Sequence, residues 1–536
     1  MLLRLPPPIA RLRALLIAPL ASLLLAFAPD EPPLAATVVQ RWREQLAAGR
    51  VQAAQEAVAA MVAAPHSRAG LLLYEAALRA ERRIARADAK QPDLARERAA
   101  LLAERAAADP SATSVRRRLD ERLALLERDE VEQAALRQVE ERLREVARAG
   151  YRRVVALLLD DAADELARLL LQELVEEREA VADLLLIELL GAVRSPRVMV
   201  PLMELVRDKA TAVELKIAAL VALGRRGDAG ATPAAAMALG HADWRVQVEA
   251  VEALRRFHQP SSIALLIQQL DRADGRLRDD LGRALVSLTG QRFAADAATW
   301  RRWWAEAGGS FVPPPAPAAP LLATAADPAS GAEGAAAGAD AGGAGGTQFF
   351  GVGSFSKRLV FVVDLSGSMR EPAPRGTDRS AARTKLEVAA SQLAAAIAAL
   401  PSDARFEVIT YADTASAVFG ALELADDAHR QQALAAVRGR GTGQGTNLFG
   451  ALEAAFAVGE SAKRRGSGGP AVDTIFFLTD GQPTAGRIVA PERILAAVAD
   501  WNRTRRVRLH AIGIGSHDRA FLAALAEQNS GTYVAR

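Results

Sequence analysis

From about Thr37 to Ala307, apolar residues recur at three- and four-residue spacing with Arg and Glu between them, so this stretch reads as a succession of helices. Ala, Leu, Arg and Glu dominate it, while Gly and Pro fall between the periodic stretches. Val115–Arg148 has the pattern of an amphipathic helix laced by ion pairs, without heptads clean enough for a coiled coil. Beyond Phe355 the pattern changes. Short apolar runs at Leu359–Val363, Arg405–Tyr411, Ile475–Leu478 and Val507–Ile514 alternate with helical stretches near Thr384–Leu400, Asp426–Val437, Leu448 onward, Pro491–Asn502 and Asp518–Gln528. A short edge strand is expected at Ser416–Phe419 and a last strand at Thr532–Ala535. This alternation predicts a doubly wound α/β unit, a mostly parallel sheet covered on both faces.

The second half of the helical stretch repeats. Ala222-Leu223, Ala253-Leu254 and Ala284-Leu285 recur at a 31-residue spacing, and polar leads such as Asp243-Trp244-Arg245 and Asp274-Gly275-Arg276 open their helices. Ser195-Pro196, Thr232-Pro233 and Gln259-Pro260-Ser261-Ser262 are turn signals between them, so each unit is a helix pair. The pattern resembles short HEAT repeats, with Val246–Val251 the best-formed part; the resemblance implies an all-α solenoid with an extended surface for binding proteins. Trp300, Trp303 and Trp304 share one helix face and are expected to cap the solenoid's open end.

The candidate chemistry lies in the α/β half. Asp364-Leu365-Ser366-Gly367-Ser368 follows directly on the apolar run 359–363, placing one carboxylate and two hydroxyls in a small-residue loop at a strand's end. Gly445-Thr446-Asn447 supplies a further hydroxyl before an apolar helix, and Asp480 ends another apolar run. Hard cations such as Mg²⁺ take oxygen donors of this kind, and open parallel sheets bind ligands at the carboxyl ends of their strands. Taken together, these residues resemble the von Willebrand factor A (vWA) family, over roughly Phe355 to Arg536. By that resemblance Ser366, Ser368 and Thr446 would bind the cation through hydroxyls, with Asp364 and Asp480 bound directly or through water. The cofactor implied is Mg²⁺, or Mn²⁺ or Ca²⁺, with an open position for an Asp or Glu carboxylate of a partner protein. With the sequence ending at Arg536, the helix that usually closes this fold is expected to be missing.

A chain of 536 residues, half of them hydrophobic, is too long for one core. The expected organisation is a signal peptide or N-terminal anchor at 1–28, a helical region at 35–150, HEAT-like repeats at 151–307, a disordered linker at 308–347 and the vWA domain at 350–536. Arg4, Arg11 and Arg13 precede the apolar stretch Ala14–Ala28, which is short for a membrane span and fits a secretory segment. Ala26-Phe27-Ala28 has the form of a cleavage site, but Pro29 disfavours cutting there, so retention as an anchor stays open. That makes the protein extracytoplasmic, secreted or periplasmic, with membrane contact only through an uncleaved N-terminus. The linker, with Pro313-Pro314-Pro315 followed by an Ala/Gly tract, is expected to let the two folded halves move independently.

A net charge of +3 with interspersed signs argues against nucleic acid, and Lys463-Arg464-Arg465 and Arg503–Arg508 read as solvated charge. The absence of cysteine excludes disulfides and thiolate metal sites. Phosphate-loop, nucleophile-elbow and zinc-helix motifs are absent, and the glycine-rich 439–445 stretch lacks a Lys, so no small-molecule substrate is expected. A non-catalytic, metal-dependent protein-binding protein is therefore the leading reading. A scaffold with a purely structural metal comes next; a vWA partner of an ATPase, or a hydrolase with Asp364 as nucleophile, is weaker.

Overall fold

The computed structural model describes residues 34, 36–109, 111–176, 179–293, 295–314, 346–374, 383–439, 443–458 and 471–536. The signal or anchor segment, the linker tract from Pro315 to Gly345 and the run 463–465 lie outside these residues. The chain divides into two compact units, 1–234 and 235–536.

The first unit is all helix in its described residues: α1 (Ala36–Ala47), α2 (Val51–Ala63), α3 (Ser67–Ala107), α4 (Thr113–Leu157), α5 (Asp160–Glu176), α6 (Ala180–Leu190), α7 (Met199–Arg207) and α8 (Val213–Arg226). The irregular Glu/Arg pattern resolves into a hairpin of two long helices, α3 and α4, each about 60 Å or more at 1.5 Å per residue. Arg–carboxylate pairs join them at Arg137–Asp88 and Arg148–Glu81, and Leu101, Leu119, Leu123 and Leu126 fill a small apolar core. The short α9 (Thr232–Ala238) carries the chain across the division.

The second unit opens with α10 (Trp244–Phe257), α11 (Pro260–Leu270), α12 (Gly275–Thr289) and α13 (Ala297–Ala307). The helices α8, α10 and α12 begin one repeat apart, at Val213, Trp244 and Gly275, and each ends on a left-handed residue, Gly227, His258 or Gly290. Such a residue releases the last carbonyls of a helix into a tight turn. Trp300 is buried against Phe293, with ring centroids 4.9 Å apart, as a cap requires; Trp303 and Trp304 are half-buried.

The remainder is α/β. A hairpin, β1 (Thr347–Phe349) and β2 (Val352–Ser354), precedes β3 (Arg358–Asp364), β4 (Arg405–Tyr411), β5 (Ala415–Ala417), β6 (Glu423–Leu424), β7 (Thr474–Thr479), β8 (Arg508–Gly513) and β9 (Tyr533–Ala535). The sheet order is β5-β4-β3-β7-β8-β9; β3, β4, β7, β8 and β9 run parallel, while β5 and β6 pair antiparallel with β4. Strand periodicity sorts the apolar side chains into two layers. Val360, Val362, Phe477 and Leu509 face α16 (Leu448–Ala457), α17 (Pro491–Asn502) and α18 (Arg519–Gln528). Phe361, Val363, Phe476 and Leu478 face α14 (Lys385–Ala398), α15 (Asp427–Gly439) and Phe349 of the hairpin.

Glu407 is a charged residue inside this apolar pattern, wholly buried on β4. Its carboxylate turns along the strand and accepts the backbone N–H groups of Val408, Val418, Phe419 and Gly420, which pins the turn after β5. Glu407→Ala takes the carboxylate acceptor from Phe419 and Gly420, while Val418 N keeps the Val408 carbonyl at 3.0 Å, and is expected to destabilise the protein by about 1–3 kcal/mol, measured as a lowered denaturation midpoint.

At the amino ends of the strands, α10 and α12 dock on the sheet through buried charges. Arg508 at the start of β8 pairs with Asp280, which also meets Arg276 at 3.2 Å. Arg276 donates to the carbonyls of Asp473 (2.7 Å) and Arg506, and Arg506 pairs with Glu249. Asp279 accepts Ser354 Oγ and Phe355 N at 3.0 and 2.9 Å. Two expectations are thereby corrected. Arg506 and Arg508 are not solvated charge but interface residues, and the last helical repeats dock on the sheet within one compact unit rather than being joined to it by the linker alone. Linker length bounds how far two parts can separate, but ion pairs of matched geometry decide whether they do.

Candidate functional site

The opposite, carboxyl ends of the strands form the cleft in which the sequence-predicted donors meet. Asp364 is the last residue of β3 and is wholly buried. One of its oxygens accepts the Ser366 N–H at 2.8 Å; the other accepts Thr479 Oγ1 at 2.8 Å and the Tyr411 hydroxyl at 3.1 Å. Burial pushes its carboxyl above the usual carboxylate range, and the hydrogen bonds from Ser366 and Thr479 oppose that rise. The Asp364 acceptor holds the loop so that both serine hydroxyls point at Asp480, which follows β7. Ser368 Oγ lies 2.8 Å and Ser366 Oγ 3.4 Å from Asp480 Oδ1, and the two hydroxyls are 3.1 Å apart.

Thr446 lines the same cleft, just ahead of α16. Its N–H donates to Thr484 Oγ1 at 2.9 Å, and a Cβ at Gly481 would stand 3.8 Å from its hydroxyl, which places it against the Asp480–Gly481 turn. The cleft measures about 380 Å³, and Glu371, Lys385, Gln444, Gln482 and Ser516 complete its lining. Four of the five predicted residues, Ser366, Ser368, Thr446 and Asp480, line the cleft, and Asp364 lies buried behind it, joined to it through the Ser366 N–H.

The donor set fits a small hard dication. In an octahedral shell with metal–oxygen distances near 2.0–2.1 Å, neighbouring oxygens stand about 2.9 Å apart, close to the triangle of 2.8, 3.1 and 3.4 Å that Ser366, Ser368 and Asp480 make. Among the described residues no group of three or more Asp, Glu, His or Cys is placed to hold a metal. The oxygens that converge in the cleft are the hydroxyls of Ser366 and Ser368 and the Asp480 carboxylate, with Asp364 buried behind the loop.

Three residues around the site were not singled out from the sequence. Lys385, the first residue of α14, places its ammonium 2.9 Å from Asp480 Oδ2 and 2.8 Å from Glu371. Burial acts to lower its pKa, and the bonds to Glu371 and Asp480 raise it on balance. Tyr411 holds Asp364 from the neighbouring strand. Asp413, just past β4, accepts the N–H groups of Gln444 (3.0 Å) and Gly445 (2.8 Å), directly before Thr446. A Cβ at Gly443 or Gly445 would strike this carboxylate at 2.5 or 2.7 Å, which is why glycines flank it. The usable signal was position: Asp413 too follows the carboxyl end of a parallel strand. Asp413→Ala is expected to loosen the 443–447 loop and weaken any metal affinity roughly 10–100-fold, as loss of a ligand-orienting group does; a metal titration of the variant checks this.

Comparison with known proteins assigns two segments of the chain to families. The von Willebrand factor type A domain model matches residues 359–536, and a HEAT repeat model matches residues 209–286. Among solved structures, a von Willebrand factor type A protein from Catenulispora acidiphila is 24% identical over 34% of this chain and 39% of its own, with a TM-score of 0.27. A D319A mutant of the PilB minor pilin from Streptococcus sanguinis is 13% identical, with 33% and 56% covered and a TM-score of 0.26. BatB from Bacteroides thetaiotaomicron is 14% identical, with 33% and 89% covered and a TM-score of 0.24. The chain thus spans well under two thirds of the first two, and likeness at such TM-scores carries no argument. No curated protein matches. vWA and HEAT modules generally mediate protein–protein interaction, and both occur here. The chain carries a von Willebrand factor type A domain at residues 359–536, preceded by HEAT repeats at residues 209–286.

Proposed function

We propose that this is a non-catalytic protein-binding protein whose vWA cleft holds a divalent cation and captures an Asp or Glu carboxylate of a partner protein. The observation that carries the reading is the convergence of Ser366 Oγ, Ser368 Oγ and Asp480 Oδ1 within 3.4 Å of one another, at the carboxyl end of a parallel sheet. Ser366, Ser368 and Thr446 would hold the ion through neutral oxygens, and Asp364 and Asp480 would offset its charge. When bound, Mg²⁺, Mn²⁺ or Ca²⁺ supplies an electrophilic position that a partner carboxylate can take. Neutral hydroxyls leave more of the dication's charge for the partner than a carboxylate cage would. The HEAT repeats would supply a second interaction surface.

The site of action proposed is extracytoplasmic, on the strength of the N-terminal segment, with no catalytic step, nucleic acid or small-molecule substrate. Among the described residues no helix is long and apolar enough to cross a membrane. The test is capture of partners by the full chain in Mg²⁺ and in chelator, followed by crosslinking and identification. Capture that disappears in chelator and with Ser368→Ala supports the reading. Capture that is equal in both conditions favours the scaffold with a structural ion.

A further inference from the structure

We propose that Lys385 is the cleft's own counter-cation: its ammonium holds Asp480 when no dication is bound, and it competes with the dication for that carboxylate. The inference rests on the reading of the cleft as a divalent-cation site.

The Asp480 side chain is wholly buried and that of Lys385 only 7% exposed. A buried carboxylate needs hydrogen-bond donors or a cation to offset its lost hydration, and leaving it without them is strongly unfavourable. Asp480 Oδ1 is committed to the two serine hydroxyls, and Oδ2 receives the Lys385 ammonium at 2.9 Å. Charge compensation in the cleft is therefore built into the chain.

Two features show that Lys385 is placed for the cleft rather than for its helix. It opens α14, where the partial positive charge of a helix N-terminus disfavours a cation. The helix is capped without it, by the reciprocal Thr384–Glu387 pair. Its stem lies against Gly515 at φ +67°, where a Cβ would come within 3.0 Å of Lys385 Cε; glycine at 515 thus keeps the path to Asp480 open.

Glu371 makes the arrangement switchable. Lys385 N donates to Glu371 O at 3.0 Å, and Pro372 and Thr384 form a backbone bridge, so the two residues stay side by side. Glu371 Oε2 binds the ammonium at 2.8 Å and is itself largely exposed. When a dication takes Asp480, the ammonium keeps Glu371 as its partner and can turn toward solvent.

The test is calorimetric titration of Mg²⁺ into the chelator-stripped full chain, as wild type, Lys385→Met and Lys385→Arg. Lys385→Met is expected to bind Mg²⁺ at least about tenfold more tightly, because a like charge beside the site is gone. Its melting temperature in chelator should fall, and saturating Mg²⁺ should close the gap. Lys385→Arg keeps the charge and should stay near wild type. In wild-type protein, amine acetylation of Lys385 read by mass spectrometry should be faster in Mg²⁺ than in chelator; this arm needs no variant to fold. Unchanged or weaker Mg²⁺ affinity in Lys385→Met, or equal acetylation in the two conditions, overturns the inference while the cation-site reading stands. A wild type that binds neither Mg²⁺ nor Mn²⁺ overturns both.

Discussion

Asp280→Ala is expected to lower the stability of the second unit by about 3–5 kcal/mol, the range for breaking a buried ion pair from one side. The Arg508 and Arg276 side chains are only 2% and 3% exposed, and Asp280 is the carboxylate that pairs with both. Burial already pushes the Arg508 guanidinium down to about 9 and the Arg276 guanidinium to about 10. Both remain charged at neutral pH, so removing Asp280 leaves Arg276 with backbone carbonyls alone and Arg508 with the Ser530 carbonyl and, 3.9 Å away, Asp279 as its nearest remaining carboxylate. Combining Asp280→Leu with Arg508→Met, which removes the stranded charge, should recover part of the loss. Calorimetric unfolding of the full chain reads these changes as shifts of one transition.

Cutting away the helices altogether is a different perturbation. In a fragment of residues 346–536, Arg506, Arg508 and Asp473 return to water instead of being stranded, and both apolar layers of the sheet are retained. That fragment is expected to fold, with a melting temperature below that of the full-length second unit. Charge left buried without a partner, rather than the absence of the helices, is what makes Asp280→Ala damaging in the intact chain.

Ser366→Ala is expected to have the largest effect on function. Loss of a group that merely orients a metal ligand costs roughly 10–100-fold in affinity, so loss of a ligand oxygen should cost no less. The Ser366 N–H that bonds Asp364 is retained in this variant, so the loop should keep its shape. Asp364→Ala is a poorer probe. The sequence placed it in the loop at the strand's end; the structure makes it the last residue of β3 and buries it fully. Removing it takes the acceptor from Thr479 Oγ1 and Ser366 N, while Tyr411 keeps only the Leu478 carbonyl at 3.1 Å. A cost of about 1–3 kcal/mol is expected from those unpaired groups. Ser366→Ala and Ser368→Ala separate metal loss from misfolding; Asp364→Ala does not.

The sheet was legible because buried parallel strands are short apolar runs and turns punctuate them. Arg405–Tyr411 and Pro491–Asn502 coincide with their elements, and the other expected elements of the α/β part differ by a few residues at the ends, while β6 was not expected. Asp364, Ser366, Ser368, Thr446 and Asp480 were legible because each sits where a strand ends or a helix begins. The β1–β2 hairpin escaped because strands of three residues carry no usable period. The docking of helices on the sheet escaped for another reason. Arg276 in a polar helix lead and Arg508 in a basic run each look like surface charge, and Asp280 is 228 residues from Arg508. Lys385 was hidden in the same way, as an ordinary charged residue in the first turn of a helix, until the fold set it beside Asp480.

Whether these hydroxyls and carboxylates form a divalent-cation site is decided by titrating Mg²⁺ and Mn²⁺ into chelator-stripped full-length protein, wild type beside Ser366→Ala, with the fold of each checked by circular dichroism. A single saturable site is expected in the wild type, weakened at least about tenfold in Ser366→Ala at unchanged secondary structure. Equal affinity in the two proteins, or no binding by the wild type, would rule the site out.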